Sequence, residues 1–520
     1  MKSYNQAKKI LINAKLKIKD EIINIDSSLN RIVSENILSK VNYPAGDNAA
    51  FDGFVVRAQD TKKLSKKNPK HFKILGSLAA GDKPKFRYKN LSAVEVMTGA
   101  LIPKGFDTII PIEKIRFDKN KKNILLHEKL IKYSHIRFAG SDFRIKDIIL
   151  KKGTQINSNH ILALKTLGIQ KLKVKKIPSI LFFSTGNEIS EKTDIPNWKV
   201  RNSNSYYVKS LAKKFSFNFI DGGILRDEEE KLFKSKLDKY SHIRFAGSDF
   251  KKKDTIIKKG TQINSNHILA LKTLGVKKLK VKKIPNILFF STGNEISEKI
   301  DVPDWKVRNS NSYYIKSLAE KFSFNFIDGG ILRDGEEKIF KSKLNKVIKS
   351  NIDLVITSGA VSAGKYDFIP NVVKSLPLQT YLKSVAIRPG KPFMFAKIKN
   401  KQKAIFGLPG NPMSSAACFR FFVYPYLCNS LHTNEEKPIK AVLKNSFIKK
   451  KDFTRFIKCK LDINKKGVQE VEVLKGQESF RIKSFVNANS WGSFPSGKSK
   501  FKKGDIIDCF PANISNKNFY

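Results

Sequence analysis

The sequence is poor in cysteine, in acidic residues and in long apolar runs. Its four cysteines lie in one C-terminal stretch without CxxC spacing, which indicates reduced thiols in a cytosol rather than disulfides or a metal site. No apolar run reaches the roughly 18 residues of a membrane helix, and residues 1–9 lack the apolar core of a signal peptide. We therefore expect a cytoplasmic protein without a membrane partner.

Acidic residues are less than half as numerous as basic ones, 46 against 100, which gives a formal net charge of +54. Such an excess is one mark of nucleic-acid binding. Here it is mainly lysine, spread through every segment together with abundant Ile, Asn and Phe. No zinc-finger spacing, RNP-like motif or basic groove with aromatic residues appears. The pattern favours biased codon usage, so we expect no nucleic-acid partner.

The main internal feature is a repeat. Residues 133–239 are followed at once by a near-copy of themselves, residues 240–346, at an offset of 107 with fifteen differences. A solenoid would need at least three short units, so this is one duplication of a large piece. Since a single core rarely serves more than about 250–300 residues, a chain of 520 residues predicts several domains.

Within each copy, predicted strands alternate with predicted helices, which is typical of a doubly wound sheet. The apolar run 180–183, repeated at 287–290, predicts a buried parallel strand, and residues 353–357 predict another. Segments 41–132 and 435–520 contain short strand patterns separated by turns, which predicts a small β-rich module at each flank. Helices are predicted over 160–167, with Asn157 as its cap, 203–214 and 228–237.

Chemically useful residues follow three predicted strands. Ser291-Thr292-Gly293-Asn294-Glu295 ends the first, Arg333-Asp334 ends the second, and a loop of small residues over 358–364 ends the third. Carboxyl ends of parallel strands meet at one edge of a sheet, where ligands bind. Carboxylates there can hold a divalent cation or act as a general base, and small residues let backbone amides approach a phosphate.

Four further segments carry polar groups on turns. Segment 47–54 has two carboxylates five residues apart, and 95–100 has a hydroxyl beside glycine. Segments 388–392 and 407–412 read RPGKP and GLPGNP, and they combine two cations with an N-cap Asn before proline. Taken alone, the first two segments are typical of ordinary turns. The last two are also compatible with strand-to-helix turns, but together they would form a seat for an oxyanion.

Taken in this order, the segments resemble the molybdopterin molybdenumtransferase family, the MoeA-like and gephyrin-E-like proteins. Residues 47–54 are similar to that family's DNSAMDGY segment, with Ala49 and Phe51 as departures. The other matches are MTGA at 97–100, STGNEI at 291–296 with Asn294 where Asp is common, TSGAVSAGKYD at 357–367, RPGKP at 388–392 and GLPGNP at 407–412.

The resemblance implies an α/β multidomain chain in an elongated homodimer. It implies a doubly wound molybdopterin-binding domain, a mixed linker domain, a small β-rich domain and a C-terminal β-barrel. The expected boundaries are 1–40 with 133–175 (or 240–282) for the linker domain, 41–132 for the β-rich domain, 176–239 for a duplicated half of the α/β domain, 283–430 for the molybdopterin-binding domain and 431–520 for the barrel.

The resemblance also implies insertion of molybdate into adenylyl-molybdopterin with Mg²⁺, releasing AMP and molybdenum cofactor. A molybdopterin adenylyltransferase is a candidate partner. Glu295 and Asp334 would hold the metal, with Glu188 and Asp227 as the duplicate set. Asp52 and Thr98 would face the α/β domain of the other subunit. The implied catalytic residues are Asp52, Thr98, Glu295, Asp334, Asp353, Arg388 and Lys391. The implied substrate-binding residues are Ser291, Thr292, Gly293, Ser358, Gly359, Ser362, Gly364, Asp367, Pro409, Gly410 and Asn411.

Three questions stay open at this stage. Ser384 stands where the family often has a basic residue, and the neighbouring Lys383 is a possible substitute. Adenylylation of molybdopterin uses the same α/β domain, although the Asp52 and Thr98 segments argue against it. Alternatively, the duplication has produced an inactive molybdopterin-binding protein.

The repeat raises the question of which copy builds the site. Copy two (240–346) reaches the 353–357 strand through six residues, 347–352, and parallel βαβ units favour short connections. Copy two should therefore complete the sheet. Copy one (133–239) would then be either an appended half-domain or the supplier of the linker-domain half, and its exposed edges should make it the less stable part.

Overall fold

A computed structural model describes residues 2–14, 18–225, 254–361, 368–376, 378–398, 403–433 and 436–512. The predicted helix over 228–237 lies outside these ranges. Within them, no helix combines the length and the apolar character needed to cross a lipid bilayer. The described chain forms an α/β domain, a linker domain, a β-rich domain and a C-terminal barrel, which confirms the predicted fold class.

The α/β domain is built on a six-stranded sheet. Four strands are parallel, and two antiparallel strands, which the sequence patterns did not predict, extend one side. In spatial order the strands are Asn325–Leu332, Asn286–Thr292, Leu354–Ser358, Ala404–Leu408, Pro392–Ile398 and Leu378–Ser384. Copy two of the repeat thus supplies the first two strands, as the short connection through 347–352 predicted.

Helices cover both faces of this sheet because its central strands are apolar on both sides. Phe289 faces the layer that contains helix Ser310–Lys321. The next residue, Phe290, faces the opposite layer, with helices Glu337–Lys349 and Ile369–Lys374. Both phenylalanines are 1% exposed or less, so each face buries a separate apolar core.

The linker domain takes its second half from copy one. Strand Asp20–Asn24 pairs antiparallel with Lys171–Lys175, and Ile37–Leu38 pairs with Ile148–Leu150. Helix Ser158–Thr166 follows, and the side chain of its cap residue Asn157 accepts a hydrogen bond from the amide of His160 at 3.1 Å, as predicted. This helix packs on helix Ser310–Lys321 of copy two.

Residues 176–282 lie between these two contributions. Their described part contains strands Ser179–Thr185 and Asn218–Leu225 and helices Asn204–Lys214 and Ser265–Thr273. The prediction that residues 180–183 form a buried strand is wrong in copy one, since Leu181 is 56% and Phe183 is 41% exposed. The identical residues of copy two are buried because the remaining strands and helices of the α/β domain cover them.

The two flanking modules are β-structured, as the turn-rich patterns predicted. The N-terminal module, which holds the first two motifs, is a six-stranded sheet. The C-terminal module is a closed barrel of five strands that begins after helix Tyr424–Ser430. The sheet strands are Thr108–Pro111, Gly53–Val56, Ser92–Val96, Lys70–Leu78, Asn123–Leu126 and Arg116–Phe117; the barrel strands are Ile439–Leu443, Gln469–Val473, Thr454–Ile463, Ser490–Phe494 and Ile506–Pro511.

Candidate functional site

Three strand ends meet at the carboxyl edge of the α/β sheet and are tied together by hydrogen bonds. The hydroxyl of Thr292 donates to the carbonyl of Ser358 at 3.1 Å, and the hydroxyl of Ser358 donates to the carbonyl of Pro409 at 3.2 Å. The buried amide of Asn311 donates both to the Ser358 hydroxyl and to the Gly410 carbonyl, at 2.8 Å each. The predicted substrate-binding segments 291–293, 358–359 and 409–411 therefore form one surface.

Glycine lets the strand ends of this surface approach one another closely. Gly359 has φ +107, a conformation that L side chains rarely adopt, and a Cβ there would lie 2.6 Å from the Thr292 carbonyl oxygen. A Cβ at Gly410 would lie 3.5 Å from the Cα of Gly359. Asn411 caps helix Pro412–Cys418 through the amide of Met413, as predicted. The other predicted residues of this surface, Ser362, Gly364 and Asp367, lie outside the described residues.

The turn after strand Asn286–Thr292 holds Glu295. Gly293 has φ +131, and the Glu295 carboxylate folds back over it into space that any Cβ would occupy. Arg333 fixes the turn, since its guanidinium donates to the carbonyls of Gly293, Asn294 and Ile296 at 3.1, 3.3 and 2.7 Å. One cation from the neighbouring strand end thus holds the backbone of the turn that carries the Glu295 carboxylate.

Burial dominates the electrostatics of Glu295. The pKa of this carboxyl is raised from 4.5 to about 7, first by loss of solvent and to a smaller extent by the negative charge of nearby Asp334. Lys306 and Arg333 lower it. The strands therefore bring the two predicted metal-binding carboxylates into electrostatic contact, in a place where a cation would stabilise their ionised forms.

The β-rich domain brings the predicted pair Asp52 and Thr98 together. Both the amide and the hydroxyl of Thr98 donate to Oδ1 of Asp52 at 2.7 Å. The pair is exposed. The next residue, Gly99, lies beside Ala80, because a Cβ added to Gly99 would be 3.5 Å from the Cβ of Ala80.

The loop that contains Ala80 contacts the Glu295 turn. Gly81 has φ +92, and a Cβ there would lie 2.7 Å from the Cα of Glu295. Lys83 lies 6.0 Å from the ring centre of Trp305. In the described chain the β-rich domain therefore approaches the α/β domain of the same chain, whereas the resemblance implied an approach between subunits.

A group of cations lies where the α/β domain joins the barrel. Arg388 pairs in register with Arg455 of the barrel, and its guanidinium lies 4.7 Å from the ring centre of Phe453. The pKa of Arg455 is lowered, first by burial and then by the charge of Arg388, and its Nε has no hydrogen-bond partner among the described residues. Arg388 itself is exposed, as is Lys391. The Glu478 carboxylate also acts on Arg455 and raises its pKa, but it is paired with Arg481 at 3.1 Å. The two neighbouring guanidiniums therefore keep a net positive charge that favours binding of an anion.

Asp353 lies away from this chemistry, and the question of Lys383 and Ser384 stays open. Asp353 precedes strand Leu354–Ser358 and is therefore at the amino edge of the sheet, roughly 16 Å from the site at about 3.3 Å per residue. Its carboxylate accepts the amide of Asn286 at 2.9 Å, which is a structural role. The structure therefore does not bring Asp353 together with the other residues that the resemblance implied to be catalytic. Lys383 and Ser384 are both exposed at a strand end.

Copy one repeats the Glu295 turn without its surroundings. The hydroxyl of Ser184 donates to Asn202 at 2.8 Å, as that of Ser291 does to Asn309 at the same distance. Glu188 is exposed in this turn, and Asp227 lies outside the described residues. The duplicate carboxylate therefore has the local turn geometry of Glu295 but not its burial.

Three site residues escaped the sequence reasoning. Arg333 stood beside a predicted carboxylate, but no pattern indicated that it would hold the neighbouring turn. Asn311 lies in helix Ser310–Lys321, where a lone polar residue is unremarkable. Arg455 belongs to a barrel strand whose only signal was alternation. For all three, the relevant partner is far away in sequence.

Comparison with known proteins gives a consistent picture. Residues 2–168 match the model of the MoeA N-terminal region (domain I and II), 289–429 that of the probable molybdopterin binding domain and 440–511 that of the MoeA C-terminal region (domain IV). These ranges join copy one's linker half to copy two's α/β half, as the structure does.

Similar proteins include two curated relatives and one solved structure. A molybdopterin molybdenumtransferase of Staphylococcus epidermidis is 26% identical over 97% of this chain and 94% of its own. One of Staphylococcus aureus strain COL is 25% identical over 93% of this chain and 89% of its own. The crystal structure of a molybdopterin biosynthesis moeA protein from Pyrococcus horikoshii OT3 aligns over 97% of this chain and 98% of its own, with 20% identity and a TM-score of 0.35.

Proposed function

Because the chain belongs to the MoeA family of molybdopterin molybdenumtransferases, we propose that it inserts molybdenum from molybdate into adenylylated molybdopterin and releases AMP. The observation that carries this proposal is the meeting of three chemistries at one sheet edge. They are a backbone surface of small residues at Gly359 and Gly410, the carboxylates of Glu295 and Asp334, and the cations of Arg388 and Arg455.

The carboxylates fit Mg²⁺ as members of a shared site. Among the described residues no group of three or more His, Cys, Asp or Glu side chains could hold a metal alone. Mg²⁺ commonly takes only one or two protein carboxylates together with substrate phosphate oxygens and water. Glu295 and Asp334 would hold it, and the bound ion would neutralise charge on the phosphoanhydride of the substrate.

The chain's own groups supply the remaining requirements. The surface at Ser358 and Gly410 lets the pterin side of the substrate approach backbone groups closely. Arg388 and Lys391 bind phosphate or molybdate oxygens, and Arg455 adds a guanidinium with limited access to water. The site thereby holds two anions, molybdate and the phosphate of the substrate, next to each other although they repel each other in solution. This repulsion is the main part of the barrier that a protein can lower by positioning.

The remaining expectations concern assembly and location. The Asp52–Thr98 pair faces the site across the Ala79–Lys83 loop, and we propose that a homodimer supplies further contacts of this kind. None of the four cysteines, which all lie in the described part of the chain, is in a disulfide, and this suits the cytoplasmic location that we propose. A molybdopterin adenylyltransferase that hands over its product is the partner we expect.

The decisive experiment gives the purified protein adenylyl-molybdopterin, Mg²⁺ and molybdate. We expect AMP release together with active molybdenum cofactor, and neither when molybdate or Mg²⁺ is omitted. Substrate binding without AMP release would contradict the proposal and would indicate an inactive molybdopterin-binding protein. Consumption of ATP and molybdopterin in place of the adenylylated substrate would indicate an adenylyltransferase instead.

A further inference from the structure

The repeat leaves the chain with two preformed halves of one sheet. Strand Ser179–Thr185 pairs in parallel with Asn218–Leu225, and strand Asn286–Thr292 pairs in parallel with Asn325–Leu332. Every Cα pair of the first ladder returns in the second at an offset of 107, including the irregularity near its centre. Both strand pairs therefore present the same backbone edge in the same register.

Within the described ranges, the copy-two edge is covered and the copy-one edge is not. Strand Asn286–Thr292 carries Leu354–Ser358 on its second side over five consecutive Cα pairs. Among the described residues, no strand pairs with the matching edge of Ser179–Thr185. Exposed apolar side chains line the copy-one pair, including Leu181 and Phe183. An open parallel edge with adjacent apolar surface is a template for the strand that fits it.

The supporting helices are duplicated as well. Helix Ser265–Thr273 packs on Asn204–Lys214, as helix Ser158–Thr166 packs on Ser310–Lys321. The same contact recurs in detail, since Lys165 lies 3.4 Å from the ring centre of Tyr313 and Lys272 lies 3.9 Å from that of Tyr206. Copy one's strand pair is thus held in a native-like arrangement before any third strand binds.

We propose that strand Leu354–Ser358, with the sheet half that follows it, docks on either strand pair, so that the chain alternates between a sheet containing Glu295 and one containing Glu188. The docking sequence 180–192 is identical to 287–299. In the described arrangement, which contains Glu295, residues 176–282 lie outside the sheet. In the alternative arrangement, which would contain Glu188, residues 240–346 would lie outside it. Both excluded segments have 107 residues, so the entropy of loop closure favours neither.

Three of the fifteen differences between the copies set the balance. Asn286 donates to the Asn351 carbonyl at 2.9 Å, and Ser179 stands at its position in copy one. Ile315 is fully buried, and Val208 is its smaller counterpart. Both changes favour docking on copy two. Asn286 adds one hydrogen bond, and Ile315 fills the space of one more methylene group than valine does.

The third difference is conformational. Gly335 has φ +89 in the turn before helix Glu337–Lys349, with open space around it, and the counterpart in copy one is Glu228. A glutamate forced into that conformation would be strained despite the space. Together the three differences favour the copy-two sheet by on the order of a hundredfold, which makes the alternative a minor state.

Hydrogen exchange measured by mass spectrometry on the full-length chain tests this directly. Peptides that span 179–193 and 286–300 differ in mass because their first and last residues differ. A triple variant, Asn286→Ser, Ile315→Val and Gly335→Glu, should shift the balance by about a hundredfold. Protection should then rise in the copy-one peptide and fall in the copy-two peptide.

The reciprocal variant is the matched control. Ser179→Asn, Val208→Ile and Glu228→Gly should raise copy-one protection while copy two keeps its native residues. If the triple variant loses protection at 286–300 without a gain at 179–193, copy two has merely unfolded and the proposal fails. Because this measurement needs no substrate, its outcome is independent of the proposed activity. If that activity holds, turnover of the triple variant should depend on Glu188 about as much as on Glu295.

Discussion

Replacement of Glu295 separates two effects of its carboxylate, a lower free energy of unfolding and a contribution to turnover. The replacement is Glu295→Gln, which keeps the shape of the side chain and removes its charge at every pH. Burial raises the pKa of Glu295 from 4.5 to about 7, so the carboxyl ionises more readily in the unfolded chain than in the folded one. Each pKa unit corresponds to about 1.4 kcal/mol, and the ionised carboxylate therefore costs the fold about 3 kcal/mol.

The pH dependence follows from the direction of this shift. Below pH 4.5 the group is protonated in both states, so it costs nothing. Between 4.5 and 7 the unfolded chain ionises first and stability is progressively lost. Above 7 the full cost is present. Glu295→Gln should therefore match the parent protein at pH 4.5 and exceed its free energy of unfolding by about 3 kcal/mol at pH 8.

The assay is urea unfolding in the presence of EDTA, followed by circular dichroism across that pH range. Glu188→Gln is the matched control, because the same turn holds Glu188 in an exposed position and its replacement should leave stability unchanged. An equal gain from both variants would refute the argument from burial, as would no gain at pH 8. The stabilised variant should also lose turnover, since a group that destabilises the empty fold is retained here for its chemistry.

Further expectations concern individual side chains. Glu295→Ala should lower AMP release by about two orders of magnitude while Glu188→Ala barely alters it, and equal losses at both sites would contradict the assignment of copy two to the site. Asp353→Asn should leave turnover within about twofold and lower the free energy of unfolding by about 1 kcal/mol, because its bond to the Asn286 amide is structural. Arg455→Gln should raise the molybdate concentration for half-maximal turnover by about tenfold, whereas Lys460→Gln, an exposed change on the same strand, should not.

The duplication gives these predictions an internal reference that most proteins lack. Two identical sequence segments fold into the same turn, yet only one is covered by the rest of the sheet. Differences between matched variants such as those at Glu188 and Glu295 therefore measure the environment alone, since local sequence and local backbone are held constant. The same comparison between Leu181 and Leu288 would isolate the contribution of burial in the strand.

Local elements were predictable where local residues decide them. The Asn157 cap, the helix after it, the apolar strand 287–290 and the Asn411 cap each depend on neighbours within about four residues. The catalytic role of Asp353 came from the resemblance and not from the strand pattern, because a residue at the start of a parallel strand lies at the amino edge of the sheet, away from the carboxyl edge where ligands bind. The two antiparallel strands also escaped prediction, since pairing direction is a tertiary property.

The sequence by itself determined the element types, the turn geometry around Gly293 and the presence of the motifs, because these follow from backbone preferences and short-range hydrogen bonds. The short connection through 347–352 predicted that copy two completes the sheet, but the sequence left open which copy supplies the linker half, because both copies have almost the same local preferences. Only the tertiary structure assigned the linker half to copy one. It also placed Arg333, Asn311 and Arg455 in the site, since these roles arise from packing between segments that are distant along the chain.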